Sequence, residues 1–166
     1  SSESTLSSET RFIPAGSPEK PFTVFQPRMK DVLYDVEFVN GKFVVRTNLG
    51  ALNFRLMETS PDKTGRESWK EIIAHRPDVL IEGFEPFKDF MVVTERKDGL
   101  INFRVMDLVN RKEHYVKFDE PAYLASSDAN AEYTSRIFRY NYTSLTTPRS
   151  VYDYSMTEKT SKLMKQ

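Results

Sequence analysis

The hexapeptide Asn53-Phe54-Arg55-Leu56-Met57-Glu58 returns as Asn102-Phe103-Arg104-Val105-Met106-Asp107, with four identities and two conservative changes. Both copies follow a run of alternating apolar and polar residues, the period of a half-buried strand. Around the first copy, Tyr34 to Phe38 reads as a strand and Asn40-Gly41 as a tight hairpin turn. Phe43 to Thr47 reads as the return strand, Asn53 to Thr59 as the third and Trp69 to Ile73 as the fourth. The plan repeats as Val79 to Phe87, Phe90 to Glu95, Leu100 to Asp107 and His114 to Phe118. A third round runs Ala122 to Ala125, Arg136 to Thr143, Arg149 to Tyr154 and Ser161 to Lys165. Phe43, Phe90 and Ile137 open the second strands at steps of 47 residues.

Four strands per unit, at a period in the forties, is the pattern of β-propeller blades. The expected fold is therefore all-β, with antiparallel four-stranded blades. Residues 1–28 read as the remainder of an earlier blade, with strands Glu9 to Pro14 and Phe22 to Phe25 punctuated by Gly16, Pro18 and Pro21. Residues 29–76, 77–119 and 120–166 read as three whole blades, all in one partial propeller domain. The 166 residues thus hold about three and a half blades, whereas closed rings use about four to eight. An open ring exposes blade faces and a strand edge. The expectation is a portion of a longer chain, or a domain that must associate. Glu67 to Arg76 also carries helical spacing through Trp69, Ile72, Ile73 and Arg76, but the repeat favours a strand there.

Composition narrows the chemistry. The 24 Lys and Arg balance 24 Asp and Glu, and the charges are interspersed, which argues against a basic nucleic-acid surface. No stretch of about 18 apolar residues suggests a membrane span. Zero cysteines exclude a disulfide framework, a thiol nucleophile and cysteine-ligated zinc. The two histidines, His75 and His114, have no metal-ligand spacing, so no metal and no cofactor are expected. No G-x-S-x-G elbow is present, and no catalytic residue is nominated. His75 reads as an exposed turn residue, and His114 as a packing or surface residue of a fourth strand.

Three charged residues are the site candidates. Glu82 lies on the first strand of its unit, which lines the channel in propellers, and would offer negative charge to a cationic peptide. Glu85, three residues on, faces the other side of that strand. Glu95 and Arg96 end a second strand at a blade rim, where they would face a partner domain. The simpler reading makes each an ordinary surface ion pair. The repeated aromatics Phe43, Phe54, Phe90, Phe103, Tyr140 and Tyr152 read as blade packing.

The segments Phe22 to Leu33, Val79 to Phe87, Val92 to Leu100, Phe118 to Tyr123 (FDEPAY) and Arg139 to Tyr152 (RYNYTSLTTPRSVY) resemble oligopeptidase B, or protease II, of the prolyl oligopeptidase family of serine peptidases. The likeness is collinear, and Arg139 to Pro148 is its most specific part. It implies the second half of a seven-bladed propeller that covers an α/β-hydrolase domain and admits only short peptides. It also implies cleavage after Lys or Arg by a Ser-Asp-His triad in the hydrolase domain. That domain and short basic peptides are the implied partners, with no nucleic acid and no membrane. The implied compartment is the cytoplasm, or the periplasm where a signal lies upstream of Ser1. The rival expectation is a free-standing interaction module whose half rings associate.

Overall fold

The computed structural model describes residues 10–12, 23–26, 34–130 and 132–166, with the backbone alone for the first two segments. It divides into two compact units, Ser1–Pro77 and Asp78–Gln166. Among the described residues the chain is all-β, with three antiparallel four-stranded sheets, one two-stranded sheet and a single 3-10 turn. No helix among them is long and apolar enough to cross a membrane.

In the first unit, β1 (Thr10–Phe12) pairs antiparallel with β2 (Thr23–Gln26). The rest of the predicted blade remainder, including Glu9, Ile13, Pro14, Phe22 and the Gly16, Pro18 and Pro21 punctuation, lies outside the described residues. The next sheet is a simple meander of β3 (Tyr34–Val39), β4 (Lys42–Thr47), β5 (Arg55–Thr59) and β6 (Lys70–Ile73). Asn40 and Gly41 join β3 to β4 with φ of 49° and 83°, the two positive values of a tight hairpin turn. Tyr34, Val45, Met57 and Trp69 form the buried apolar cluster of this sheet. The Trp69 indole N–H donates to the Thr64 carbonyl at 2.9 Å, so its polar edge is satisfied. The helical alternative for Glu67 to Arg76 does not form. One 3-10 turn, Arg66–Ser68, delivers Trp69 inward and the chain enters β6.

In the second unit, β7 (Leu80–Pro86), β8 (Phe90–Lys97), β9 (Leu100–Asp107) and β10 (Glu113–Tyr115) form one meander. β11 (Leu124–Ser127), β12 (Ile137–Thr143), β13 (Ser150–Ser155) and β14 (Thr160–Lys165) form the other. β10 ends at Tyr115, short of the expected Phe118. Val116 still donates to the Phe103 carbonyl at 3.0 Å, and Phe118 then turns its ring against Phe103, Tyr123 and Tyr142.

The ladders correct the arithmetic of the repeat. Phe43 pairs with Thr59 and Phe90 with Asp107, so the 47-residue step on the second strand comes with a 48-residue step on the third. The matched hexapeptides stand 49 residues apart, one more than that. The two alignments therefore cannot both mark equivalent positions, because a one-residue slip turns every side chain to the other face. The hexapeptide is the true equivalence. Arg55 reaches diagonally to Glu71 at 3.3 Å, and Arg104 pairs in the same way with Glu113. Those glutamates face Met57 and Met106, the matched methionines.

The match fails at its second residue. Phe103 lies within β9 and is fully buried. Phe54 precedes β5, which starts at Arg55 and not at Asn53. Two successive turns, Ala51 N–H to Asn48 and Phe54 N–H to Ala51, hold it at φ 66°. Its ring sits under the Arg46 guanidinium, 4.3 Å from the centroid.

The core of the second unit lies between its two sheets. Phe87, Phe90, Val92, Ile101, Phe103, Val105 and Val116 of one sheet and its flanks meet Phe138, Tyr140, Tyr142, Tyr154 and Met156 of the other. Phe103 stands edge-on to Phe138 at 4.9 Å and to Phe118 at 6.1 Å, the favoured geometry for aromatic pairs. Polar ties cross the same seam. Tyr123 donates to the Ile101 carbonyl at 2.8 Å, Lys88 N–H to the Tyr133 carbonyl at 2.8 Å, and His114 Nε2 meets the Tyr154 hydroxyl at 2.7 Å. Truncating Phe103 to Ala opens a cavity at the middle of this seam. It is expected to lower stability by about 3–5 kcal/mol in a denaturant titration, against under about 1 kcal/mol for Val109→Ala in an exposed turn.

Candidate functional site

The segments that carry the family likeness converge at one end of the last sheet. The connection from β10 to β11 brings Glu120, and the turn from β12 to β13 brings Ser144, Leu145, Thr146 and Thr147. Glu120 Oε1 accepts the hydroxyls of Ser144, at 2.6 Å, and of Thr146. Its Oε2 accepts the hydroxyls of Tyr142, at 2.5 Å, and of Thr147, at 3.3 Å. Four donors fill the lone pairs of one carboxylate.

The turn is also closed on itself. Ser144 N–H donates to the Thr147 carbonyl at 3.0 Å, Thr147 N–H returns to Ser144 Oγ at 3.0 Å, and Thr143 Oγ1 donates to the Thr147 carbonyl at 3.2 Å. Pro148 follows, and its carbonyl accepts Ser150 Oγ at 2.6 Å.

The electrostatic consequence is direct. Hydrogen bonds from Ser144, Thr146 and Tyr142 hold the Glu120 carboxyl down to about 2. Burial, with donation to Glu120, raises the Tyr142 hydroxyl well above the ordinary tyrosine range. A carboxylate so stabilised is a poor proton acceptor near neutral pH and a good anchor. A cleft of about 360 Å³ adjoins it, lined by Lys117, Phe118, Asp119, Tyr140, Tyr152 and Ser161 among others. The rings are ordered by stacking: Tyr140 on Tyr152 at 5.4 Å, and Phe118 on Tyr142 at 5.3 Å.

The sequence candidates lie elsewhere and do not form one constellation. Glu82 occupies a β-bulge in β7, where the register shifts between Ile81 and Gly83. Its Oε1 accepts from Arg96 Nε at 2.7 Å, so the two candidates form one surface pair. Glu95 does not reach a rim. It lies within β8 and is only 2 % exposed. There it meets Arg104 Nη1 at 3.3 Å and accepts the Tyr115 hydroxyl at 2.8 Å. The physical reason is the length of β8, which runs on to Lys97 and keeps Glu95 inside the ladder. Glu85 is half-buried, and burial raises its pKa above the usual carboxylate value. It accepts from Asn130 Nδ2 at 3.4 Å. Asn130 in turn brackets the Arg139 backbone, accepting its N–H at 2.8 Å and donating to its carbonyl at 3.1 Å.

His114 is half-buried against Tyr154, and burial lowers its pKa. His75, expected in an exposed turn, is half-buried, and its Nε2 has no hydrogen-bond partner. Among the described residues no three His, Asp or Glu side chains are grouped to hold a metal ion. The Glu120 cradle was not nominated from sequence. Its signal was the run of Tyr142, Ser144, Thr146 and Thr147 hydroxyls with no acceptor of their own nearby in the chain.

Comparison with known proteins agrees with this architecture. The profile of the family described as "Prolyl oligopeptidase, N-terminal beta-propeller domain" matches residues 1–166. Dipeptidyl aminopeptidase BI of Pseudoxanthomonas mexicana is 45% identical over 152 residues, covering 91% of this chain and 21% of that protein. Protease 2 of Moraxella lacunata is 26% identical over 155 residues, covering 93% of this chain and 22% of that protein. The closed form of oligopeptidase B from Trypanosoma brucei, with covalently bound antipain, superposes with a TM-score of 0.85. That alignment has 24% identity and covers 97% of this chain and 24% of the other, a likeness of fold. The chain thus spans about a fifth of the length of these curated relatives.

The Glu120 cradle predicts a signature in acid. A carboxyl with a lowered folded pKa contributes stability above its unfolded value and loses it as pH falls through the folded value. The thermal midpoint is therefore expected to drop more steeply for the native chain than for Glu120→Gln between about pH 4.5 and about pH 2. Parallel pH profiles for the two would show that the four hydroxyl bonds do not hold in solution.

Proposed function

This chain belongs to the family of prolyl oligopeptidase N-terminal β-propeller domains, and from that membership we propose that it is a non-catalytic wall of a serine peptidase. The observation that carries the reading is the whole-length family match on sheets that are each a four-stranded meander. In this reading the catalytic Ser, Asp and His belong to an α/β-hydrolase domain of the parent polypeptide. The propeller acts as gate and scaffold, excluding folded proteins and admitting short peptides through domain opening or the channel. The chemistry of the Glu120 cradle supports a scaffold role, since its carboxylate is committed to four hydroxyls.

Cleavage after Lys or Arg is part of this proposal, and the Protease 2 and oligopeptidase B likenesses support it. Glu82 remains the channel-facing candidate, with Arg96 as the cation that an incoming basic side chain would displace. Glu95 drops out because it is buried. The proposed compartment is the cytoplasm. A second reading of the specificity is favoured by the 45% identity to a protein named dipeptidyl aminopeptidase BI. There the parent would release dipeptides from a free N-terminus.

The test uses the full-length parent enzyme and three substrates. These are an N-blocked arginyl amide, a dipeptidyl amide with a free N-terminus, and a folded protein displaying the same arginyl sequence in a surface loop. Turnover of either small substrate with sparing of the folded protein is the expected result, and the ratio of the two small ones decides the specificity. Cleavage of the folded protein at a rate like that of the blocked amide would contradict the gate.

A further inference from the structure

The turn that Glu120 holds displays an apolar side chain outward. Leu145 sits at its tip and is fully exposed, at 102 % of its reference area, while the residues on either side are tied down by the hydroxyl bonds. Fixing backbone costs roughly 1–2 kcal/mol per residue. A carboxylate accepting four hydroxyls offsets that cost without burying the leucine. Presenting an apolar group from an ordered turn lowers the entropic cost of docking against it.

Leu145 is not alone at this end of the sheet. Leu124, 72 % exposed, is the first residue of β11 and pairs with Thr143, the last residue of β12. Leu163 and Met164, both about half exposed, lie near the end of β14. There Lys165 pairs with Val151, near the start of β13. The ends of β11 and β14 and the β12–β13 turn thus place four solvent-facing apolar side chains at one end of one sheet. Exposed apolar surface of this kind marks an interaction site.

We infer that this end of the last sheet, with Leu145 at its tip, is the docking edge for the hydrolase domain of the same polypeptide. The inference rests on the reading of the chain as the propeller of a peptidase. The choice of occupant follows from the ladder. Because Lys165 pairs with Val151, a chain continuing past β14 leaves the sheet beside the Glu120-held turn. A domain tethered there meets this edge at a high effective concentration, so even a small apolar contact holds it. The Glu120 cradle then acts as a positioning device. It sets the Leu145 turn, and the turn sets where the following domain rests.

The experiment is hydroxyl-radical footprinting of the full-length parent, read by mass spectrometry. Val109, 75 % exposed in the β9–β10 turn, serves as the internal reference. Leu145 and Leu124 are expected to be modified severalfold less than Val109. In a Leu145→Glu parent, Leu124 is expected to regain the reactivity of the reference, whereas Val109→Glu leaves the protection of Leu124 intact. Modification of Leu145 and Leu124 equal to that of Val109 in the native parent would overturn the inference. So would protection that disappears on dilution, which assigns the edge to a second copy of the chain. A serine-directed fluorophosphonate is run on the same samples. Failure of that label removes the peptidase reading itself, while successful labelling with unprotected leucines removes only the docking edge.

Discussion

A four-stranded antiparallel meander has two faces and no interior, so it becomes stable only when something covers it. In the second unit that covering is mutual. Phe103 and Val105 of β9 and Phe138 and Tyr140 of β12 close the seam between two such sheets. The aromatic content of 13% has its explanation here, because wide flat rings span the gap between packed sheets with few chain atoms. The hydrogen-bonded ties all lie around that apolar seam, where low dielectric makes them count. Without the burial of Phe103 there is no fixed frame on which Glu120, the Ser144 turn or the His114–Tyr154 bond can sit.

Polar residues at the margin of the seam convert packing into position. Asn130 fixes the approach to β12 by bonding both backbone groups of Arg139 and reaching Glu85 on β7. Arg139 then holds Asp153 across the β12–β13 ladder through two bonds, at 2.7 and 3.0 Å. Glu120 completes the series at the far end by gathering four hydroxyls onto one carboxylate. Each of these groups spends its bonding capacity on the fold. That is the pattern expected of a wall and a docking surface, and it differs from an active centre, where a titratable group is held near the working pH.

Much of the fold was legible because alternation and turn chemistry are local. Asn40-Gly41 announced its hairpin, and the meanders follow the strand runs read from the chain within a few residues. Two errors had long-range causes. The Phe43 and Phe90 alignment looked regular along the chain, yet the ladder shows the third strands setting the equivalence through Arg55–Glu71 and Arg104–Glu113. Phe54 looked like Phe103 and lies in a turn at positive φ, because Arg46 offers its ring a partner outside the core. The site was less legible. Glu95 read as a rim charge because its neighbours are charged, and its burial depends on Arg104 and Tyr115 from two other strands. Glu120 stood among ordinary acidic residues, and only the fold brings 24 residues of separation from Ser144 down to 2.6 Å.

The central claim is that this chain builds and positions while the bond-breaking serine lies in another domain of the parent. Labelling the full-length parent with a fluorophosphonate and mapping the modified peptide tests it most directly. The account predicts a single labelled serine outside the segment corresponding to residues 1–166. A labelled serine within that segment, such as Ser144 or Ser150, would contradict it.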